Sequence, residues 1–261
     1  MEQTITSTQN PRIKQLLLLQ QKSSLRRQTG CFVVEGRREL EHCIAAGYEV
    51  ESVFVEMNSH PSSLIPHPST FPVSPHVYER IAYRGSTEGV VAVVRSRSLN
   101  LCDLQLRPSP LLVVLESVEK PGNLGAVLRS ADAAGADAVI VCDPLTDLYN
   151  PNLIRASIGA CFTVPMVACT SQECIAFLKE HQIQILTAQL QDSSLYYDTD
   201  MRGATAFIMG TESTGLTEVW REAADAHIRI PMRGRLDSLN VSVSAAILLF
   251  EAVRQRVEGM G

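Results

Sequence analysis

The stretch LLVVLESVEKPGNLGAVLRSADAAGADAVIVCD, residues 111–143, decides the architecture. Two apolar runs, LLVVLE and AVIVCD, flank a segment where Leu124, Val127, Leu128 and Ala131 recur at the i, i+3, i+4, i+7 spacing of one helix face. Strand, helix and strand in that order are the unit of a parallel sheet. The alternation continues with a helix near 151–159, FTVPMV (162–167), a helix near 171–181, IQILTAQL (183–190), ATAFIMG (204–210), a helix near 215–223, HIRIPM (227–232) and a long helix from about Ser242. Runs that are apolar throughout suit strands covered on both faces, so the fold class is α/β with a mostly parallel C-terminal sheet.

RPSP at 107–110 marks the boundary of this repetitive region. Upstream, the strand-like runs YEVESVFVE (48–56) and GVVAVVRS (89–96) enclose NSHPSSLIPHPSTFPVSP (58–75), whose five prolines predict extended or looped chain. The loop therefore sits inside one smaller N-terminal α/β domain. The expected partition is 1–98 for that domain, 99–110 for a linker and 111–261 for the C-terminal domain.

Composition bounds the function. With 45% apolar and 20% charged residues among 261, the chain is globular, and no apolar run approaches the roughly 20 residues of a membrane span. The opening MEQTITSTQNPRIK lacks the charged-then-apolar order of a secretory signal, so the expected location is the cytoplasm. Seven cysteines without CxxC and six scattered histidines predict reduced, mostly buried thiols and no metal site. The net charge of −5 argues against indiscriminate coating of nucleic acid, but the charge is unevenly distributed. Between Pro11 and Arg38 lie Arg12, Lys14, Lys22, Arg26, Arg27, Arg37 and Arg38 against the single acid Glu35. The first six are candidate nucleic-acid contacts, the alternative being a solvated helix face.

An open parallel sheet binds its ligand at the carboxyl ends of its strands, which points to the loops after Glu116, Asp143, Leu190, Met209 and Met232. Common nucleotide signatures do not fit them. After Gly125 the next glycine is Gly135, so the GxGxxG fingerprint is absent. GTESTGLT (210–217) nearly spells a phosphate-binding loop, yet Leu216 stands where the lysine must be. The same stretch places two residues between Gly210 and Ser213, one more than a nucleophile elbow allows.

Three stretches remain: PGNLGAVLR (121–129), IMGTESTGL (208–216) and IPMRGRLDSLNVSVSAA (230–246). In this order they resemble the three motifs of the SpoU family of RNA ribose 2'-O-methyltransferases, of the SPOUT class. Upstream, NPRIK (10–14), FVVEGRRELEHCIAAG (32–47) and STEGVVAVV (86–94) are similar to the small substrate-binding domain of many members, akin to a ribosomal protein that binds kinked RNA. The chain departs from the pattern at Lys120, where many members carry an acid.

The resemblance implies a knotted α/β catalytic domain, S-adenosylmethionine as methyl donor, and a homodimer packed through SVSAAILLFEAVRQRV (242–257). It also implies an RNA substrate, ribosomal rather than transfer RNA, with guanosine one possible target base. Transfer RNA methylation and noncatalytic RNA binding are the alternatives. It assigns Asn123, Arg129, Glu212, Ser238 and Asn240 to the catalytic site, and Gly210, Ile230, Met232 and Leu239 to the cofactor pocket, with the turn after Thr187 as a further candidate. The residue chemistry is compatible with these roles. Arg129 lies off the buried stripe, and a guanidinium suits a developing alkoxide better than proton abstraction. Asn123, Ser238 and Asn240 stand at helix entrances, where capping is their other reading, and turn-amide satisfaction is the other reading of Glu212.

Overall fold

Asn10 and Pro11 start the first helix, the asparagine side chain accepting from Arg12 N while proline supplies a pre-set φ at the first helical position. The computed structural model describes residues 4–57, 69–83, 88–211, 214–235 and 238–258. Residues 58–68 of the proline-rich stretch and Glu212 lie outside them.

After α1 (Pro11–Gln21) come α2 (Ser23–Thr29), β1 (Cys31–Glu35), α3 (Arg37–Ala45), β2 (Val50–Glu56), β3 (Thr70–Val73), α4 (Pro75–Ile81) and β4 (Val90–Arg95). The strands form a sheet in the order β1-β4-β2-β3, antiparallel except for β2 with β3. Pro72 stands in β3 at the sheet edge, where a missing donor does least harm. Ile13, Leu16 and Leu19 of α1 are fully buried with Val33, Phe54 and Val91. The LLLL run at 16–19 thus contributes alternating faces, Leu18 remaining exposed.

The C-terminal alternation runs β5 (Leu111–Glu116), α5 (Pro121–Ala133), β6 (Ala138–Cys142), α6 (Pro151–Ser157), α7 (Ala160–Thr163), β7 (Met166–Cys169), α8 (Ser171–Glu180), β8 (Gln184–Ala188), β9 (Ser194–Leu195), β10 (Thr205–Met209), α9 (Glu218–Ala223), β11 (Ala226–Arg229) and α10 (Val241–Glu258). Seven strands pair in the order β7-β6-β5-β10-β8-β11-β9, every pairing parallel. The expected α/β sheet is present. Every residue of β5 is buried: Leu112 and Val114 meet the α8 and α9 side with Trp220, while α5 and α10 pack on one another and on β5, β6 and β10. Continuous burial explains the unbroken hydrophobicity of LLVVLE.

Two compact units result, one of Met1–Arg97 with Tyr149–Thr163, the other of Ser98–Leu148 with Val164–Gly261. In the first, Tyr149 stacks on Phe32 at 4.3 Å between centroids, Phe162 packs edge-on to Tyr48 at 5.4 Å, and Arg155 pairs with buried Glu35 at 3.3 Å. Burial pushes the Glu35 carboxyl up, and Arg155 opposes that shift.

Four local expectations need correction. The helix expected at 151–159 divides because Ile158 and Gly159 take left-handed φ values of 54° and 89°, so Phe162 and Thr163 finish α7 instead of opening a strand. The strand begins only at Met166. Helix α5 starts at Pro121 behind Lys120, leaving Asn123 inside the first turn and not at the cap. Arg26 is withdrawn from the RNA-facing set: it is buried, donating to Leu19 O at 2.5 Å and Gln20 O at 3.3 Å, and thereby closes the α1–α2 corner. By contrast Arg12, Lys14, Lys22 and Arg27 are exposed, Arg12 over the Phe71 ring at 4.3 Å, while Arg37 bonds exposed Glu41 at 2.7 Å.

Replacing Arg26 with Ala removes a donor from two carbonyls at that corner and is expected to cost about 1–3 kcal/mol. Arg27→Ala, one position on and exposed, should cost under about 0.5 kcal/mol. Urea unfolding midpoints of the two variants measure the difference.

Candidate active site

The carboxyl ends of β8, β10 and β11 and the start of α10 enclose a cleft of ≈ 530 Å³, within the roughly 300–1,000 Å³ of small-molecule sites. Gly210 follows β10 directly, and beyond it the chain turns back on itself. Thr211 and Gly215 exchange backbone hydrogen bonds of 3.3 and 3.1 Å, and Thr214 N donates to Thr211 Oγ1 at 3.1 Å. The turn closes so tightly that a Cβ on Gly210 would fall 2.5 Å from Leu216 N and collide with the Gly215 carbonyl. Gly215 holds φ 69°, a left-handed value that other residues resist.

The turn is anchored from below. Buried Glu116, at the end of β5, accepts from Thr217 N at 2.9 Å, Thr217 Oγ1 at 2.6 Å and Ser171 Oγ at 3.5 Å. Trp220 Nε1 donates to the same Ser171 Oγ at 3.0 Å. Three loops thus share one carboxylate-centred network.

Of the residues singled out in the sequence, Gly210, Ile230, Met232, Leu239, Ser238 and Asn240 line the cleft together. The loop after Thr187 joins them through Ala188, Gln189, Leu190 and Gln191. A smaller notch of ≈ 110 Å³, lined by Lys120 and Asn123 among others, shares Gly210, Thr211 and Val241 with the cleft. Across that junction Asn240 Nδ2 donates to Asn123 Oδ1 at 3.2 Å, joining the first and third motifs. Asn240 Oδ1 also accepts from Ser242 N at 3.0 Å and Ser242 Oγ at 2.6 Å, so it caps α10 as well.

Arg129 is placed differently. It is exposed on α5, off the stripe of Leu124, Val127, Leu128 and Ala131, which are all fully buried. It lines neither cleft and makes no hydrogen bond or ion pair among the described residues. Glu212 cannot be placed, since it lies outside those residues. Sequence reasoning missed Arg221 and reached Gln189 only as part of the turn after Thr187. Both line the cleft, and Gln189 Oε1 and Arg221 Nε are buried polar atoms without a hydrogen-bond partner among the described residues. Nothing in the sequence marked these two atoms, because an unsatisfied atom is a property of the folded surroundings.

The model of the SpoU rRNA Methylase family matches residues 110–250, and that of the MRM3-like substrate binding domain matches residues 10–92. The chain belongs to the SpoU rRNA methylase family. It is 39% identical over 182 residues to a 23S rRNA (guanosine-2'-O-)-methyltransferase, RlmB, of Vibrio vulnificus strain CMCP6, covering 67% of this chain and 74% of that protein. Over 247 residues it is 27% identical to the 23S rRNA (guanosine(2553)-2'-O)-methyltransferase RlmP of Bacillus subtilis strain 168, covering 94% and 97%. A crystal structure of an RNA 2'-O ribose methyltransferase superposes with a TM-score of 0.86 at 40% identity, covering 98% of this chain and all of the other. The SpoU methyltransferase AviRb of Streptomyces viridochromogenes, complexed with S-adenosylmethionine, gives 0.88 at 28% identity, covering 96% and 100%.

This SpoU chain is an enzyme, an S-adenosylmethionine-dependent RNA 2'-O-methyltransferase. Its cleft fits that cofactor: apolar walls from Leu190, Ile230, Met232 and Leu239 and a side-chain-free turn at Gly210.

The Gly210 geometry yields a direct test. Gly210→Val must open the 211–215 turn, and calorimetry is expected to show loss of S-adenosylmethionine binding while circular dichroism stays near wild type. Retained cofactor affinity in a folded variant would locate the pocket elsewhere.

Proposed function

We propose that this protein methylates the ribose 2'-hydroxyl of a guanosine in ribosomal RNA. The carrying observation is the junction where the large cleft meets the Asn123 notch across the Asn240–Asn123 hydrogen bond. A cofactor-sized space and a small polar recess share one wall, as a transfer between two bound partners requires. The relatives' names supply the RNA class and the base.

S-adenosylmethionine, when bound, supplies an electrophilic methyl group on a sulfonium. In this reading Gly210, Ile230, Met232 and Leu239 hold the cofactor, and Asn123, Ser238 and Asn240 order the ribose side of the junction. Arg129, a planar and permanently charged group, stabilises the alkoxide that develops as the hydroxyl loses its proton, with an RNA phosphate or water taking that proton. Its exposure suits it to a substrate arriving from solvent. Glu212 is assigned to orienting a polar group of the substrate.

Residues 1–98 act as the RNA substrate-binding domain, joined through 99–110 to the catalytic domain 111–261, of which Tyr149–Thr163 belong to the N-terminal compact unit. Arg12, Lys14, Lys22, Arg27 and Arg37 meet the phosphates. The same proposal includes the knotted backbone, a cytoplasmic location and a homodimer through α10. Val243, Phe250 and Val257 recur every seven residues on that helix with 46%, 48% and 66% of their surface exposed, a stripe suited to a twofold partner. Among the described residues no helix is long and apolar enough to cross a membrane.

Single-turnover methylation of 23S rRNA and transfer RNA transcripts tests the reading. Wild type should modify a guanosine ribose in the former. Arg129→Ala should be slower by about a hundredfold to a thousandfold, with cofactor binding intact, and Arg129→Lys should also be strongly impaired because it lacks the planar fork. Near wild-type rates in Arg129→Ala would remove it from the mechanism.

Reversing Lys14, Lys22 and Arg27 to Glu should weaken RNA binding and flatten its salt dependence, each lost phosphate contact lowering the log–log slope by about one. Cofactor affinity should not move. Unchanged RNA affinity would take this surface out of the interface.

A further inference from the structure

Cys142, Cys169 and Cys174 carry no spacing motif, yet their three Sγ atoms lie within 4.8 Å of one another. Cys142 ends β6 and Cys169 ends β7, where the two are directly paired across the parallel ladder. Cys174 approaches from the first turn of α8, whose amide end favours negative charge. Among the described residues no other group of three histidines, cysteines or acids converges in this way.

The distances suit a particular coordination. A metal bound to three sulfurs at about 2.3 Å in a trigonal plane holds them about 4 Å apart. The Cys142 and Cys169 sulfurs already stand 4.0 Å apart. Among the described residues no fourth ligand atom joins the group. Asp143 Oδ2 accepts from Ser171 N at 3.2 Å and Ser171 Oγ at 2.6 Å, and Glu173 Oε2 accepts from Thr170 N at 2.8 Å and Thr170 Oγ1 at 2.7 Å. Zinc favours four ligands, whereas a soft monovalent ion is satisfied by thiolates alone. Cys142 and Cys174 are fully buried, while Cys169 is partly exposed on the edge strand β7, which provides the way in.

We propose that Cys142, Cys169 and Cys174 form a three-thiolate site for Cu(I). Each Cu–S bond replaces an S–H bond, and the thiol protons leave to solvent. The site is separate from the cofactor cleft, none of whose lining residues is a cysteine. It is nevertheless close to the turn beside that cleft, because Ser171, two residues after Cys169 and three before Cys174, lies 3.5 Å from Glu116, which in turn holds Thr217. The inference is independent of the proposed RNA substrate.

The test uses the full-length reduced protein under anaerobic conditions, titrated with Cu(I) against a colorimetric Cu(I) chelator. One equivalent should bind with a near-ultraviolet thiolate-to-copper absorption, and X-ray absorption should show three sulfurs at about 2.3 Å. Copper should also raise the melting temperature. Cys169→Ser, at the partly exposed position, should lose more affinity than the roughly 10–100-fold that outer-sphere partners cost, and should lose the melting shift. Cys102→Ser, which removes an exposed thiol outside the cluster, should bind copper as wild type does. Equal affinity in wild type and Cys169→Ser overturns the site. So does tighter, four-coordinate binding of Zn(II), or a protein whose only response is a Cys142–Cys169 disulfide in air.

Discussion

A buried carboxylate at the end of β5 organises the catalytic unit. Glu116 is almost wholly removed from water, which is tolerable for a charge only where donors replace the lost hydration. Those donors are the Thr217 amide and hydroxyl and, at longer range, Ser171. They come from two segments, Thr217 closing the 210–217 loop and Ser171 opening α8. Removing Glu116 would orphan a backbone amide and release the loop that presents Gly210 to the cleft. The shape of the Gly210 turn therefore depends on a residue that does not line the cleft.

The division of labour along the chain follows from charge and burial. The protein carries a net charge of −5, yet Lys14, Lys22 and Arg27 present exposed cations from the N-terminal helices. The C-terminal unit instead concentrates apolar surface in its cleft and along α10. Exposed cations stay hydrated and screened by salt, whereas apolar walls gain by excluding water, so the two kinds of surface suit opposite solvent conditions.

Much of this was legible in the sequence where periodicity controls the outcome. Leu124, Val127, Leu128 and Ala131 announced the buried face of α5, and the runs LLVVLE and AVIVC announced fully buried strands. The need for glycine at position 210 is legible in part: the turn follows a strand, and its backbone contact explains why no side chain fits there. Contacts between distant segments left no local trace. Asn123 and Asn240 meet across 117 positions, and three cysteines converge only because β6 and β7 are neighbours. Arg26 misled because a buried arginine that satisfies carbonyls has the same sequence context as one facing RNA. The break at Ile158 was hidden for another reason, since a β-branched residue is among the least expected at positive φ.

The strand order has a consequence for how the protein is made. Strand β10 lies between β5 and β8, both of which precede it in the chain. As the ribosome releases the polypeptide, β5, β6 and β7 can assemble in turn, but β8 has no place beside β5 that it keeps in the finished sheet. The middle of the sheet therefore waits for residues 205–209, whose partners in β5 were synthesised more than ninety positions earlier. Such long-range closure is slow, and until it occurs the facing edges of β5 and β8 remain unpaired and open to mispairing. The central strand that leads into Gly210 is thus also the keystone whose late arrival completes the C-terminal unit.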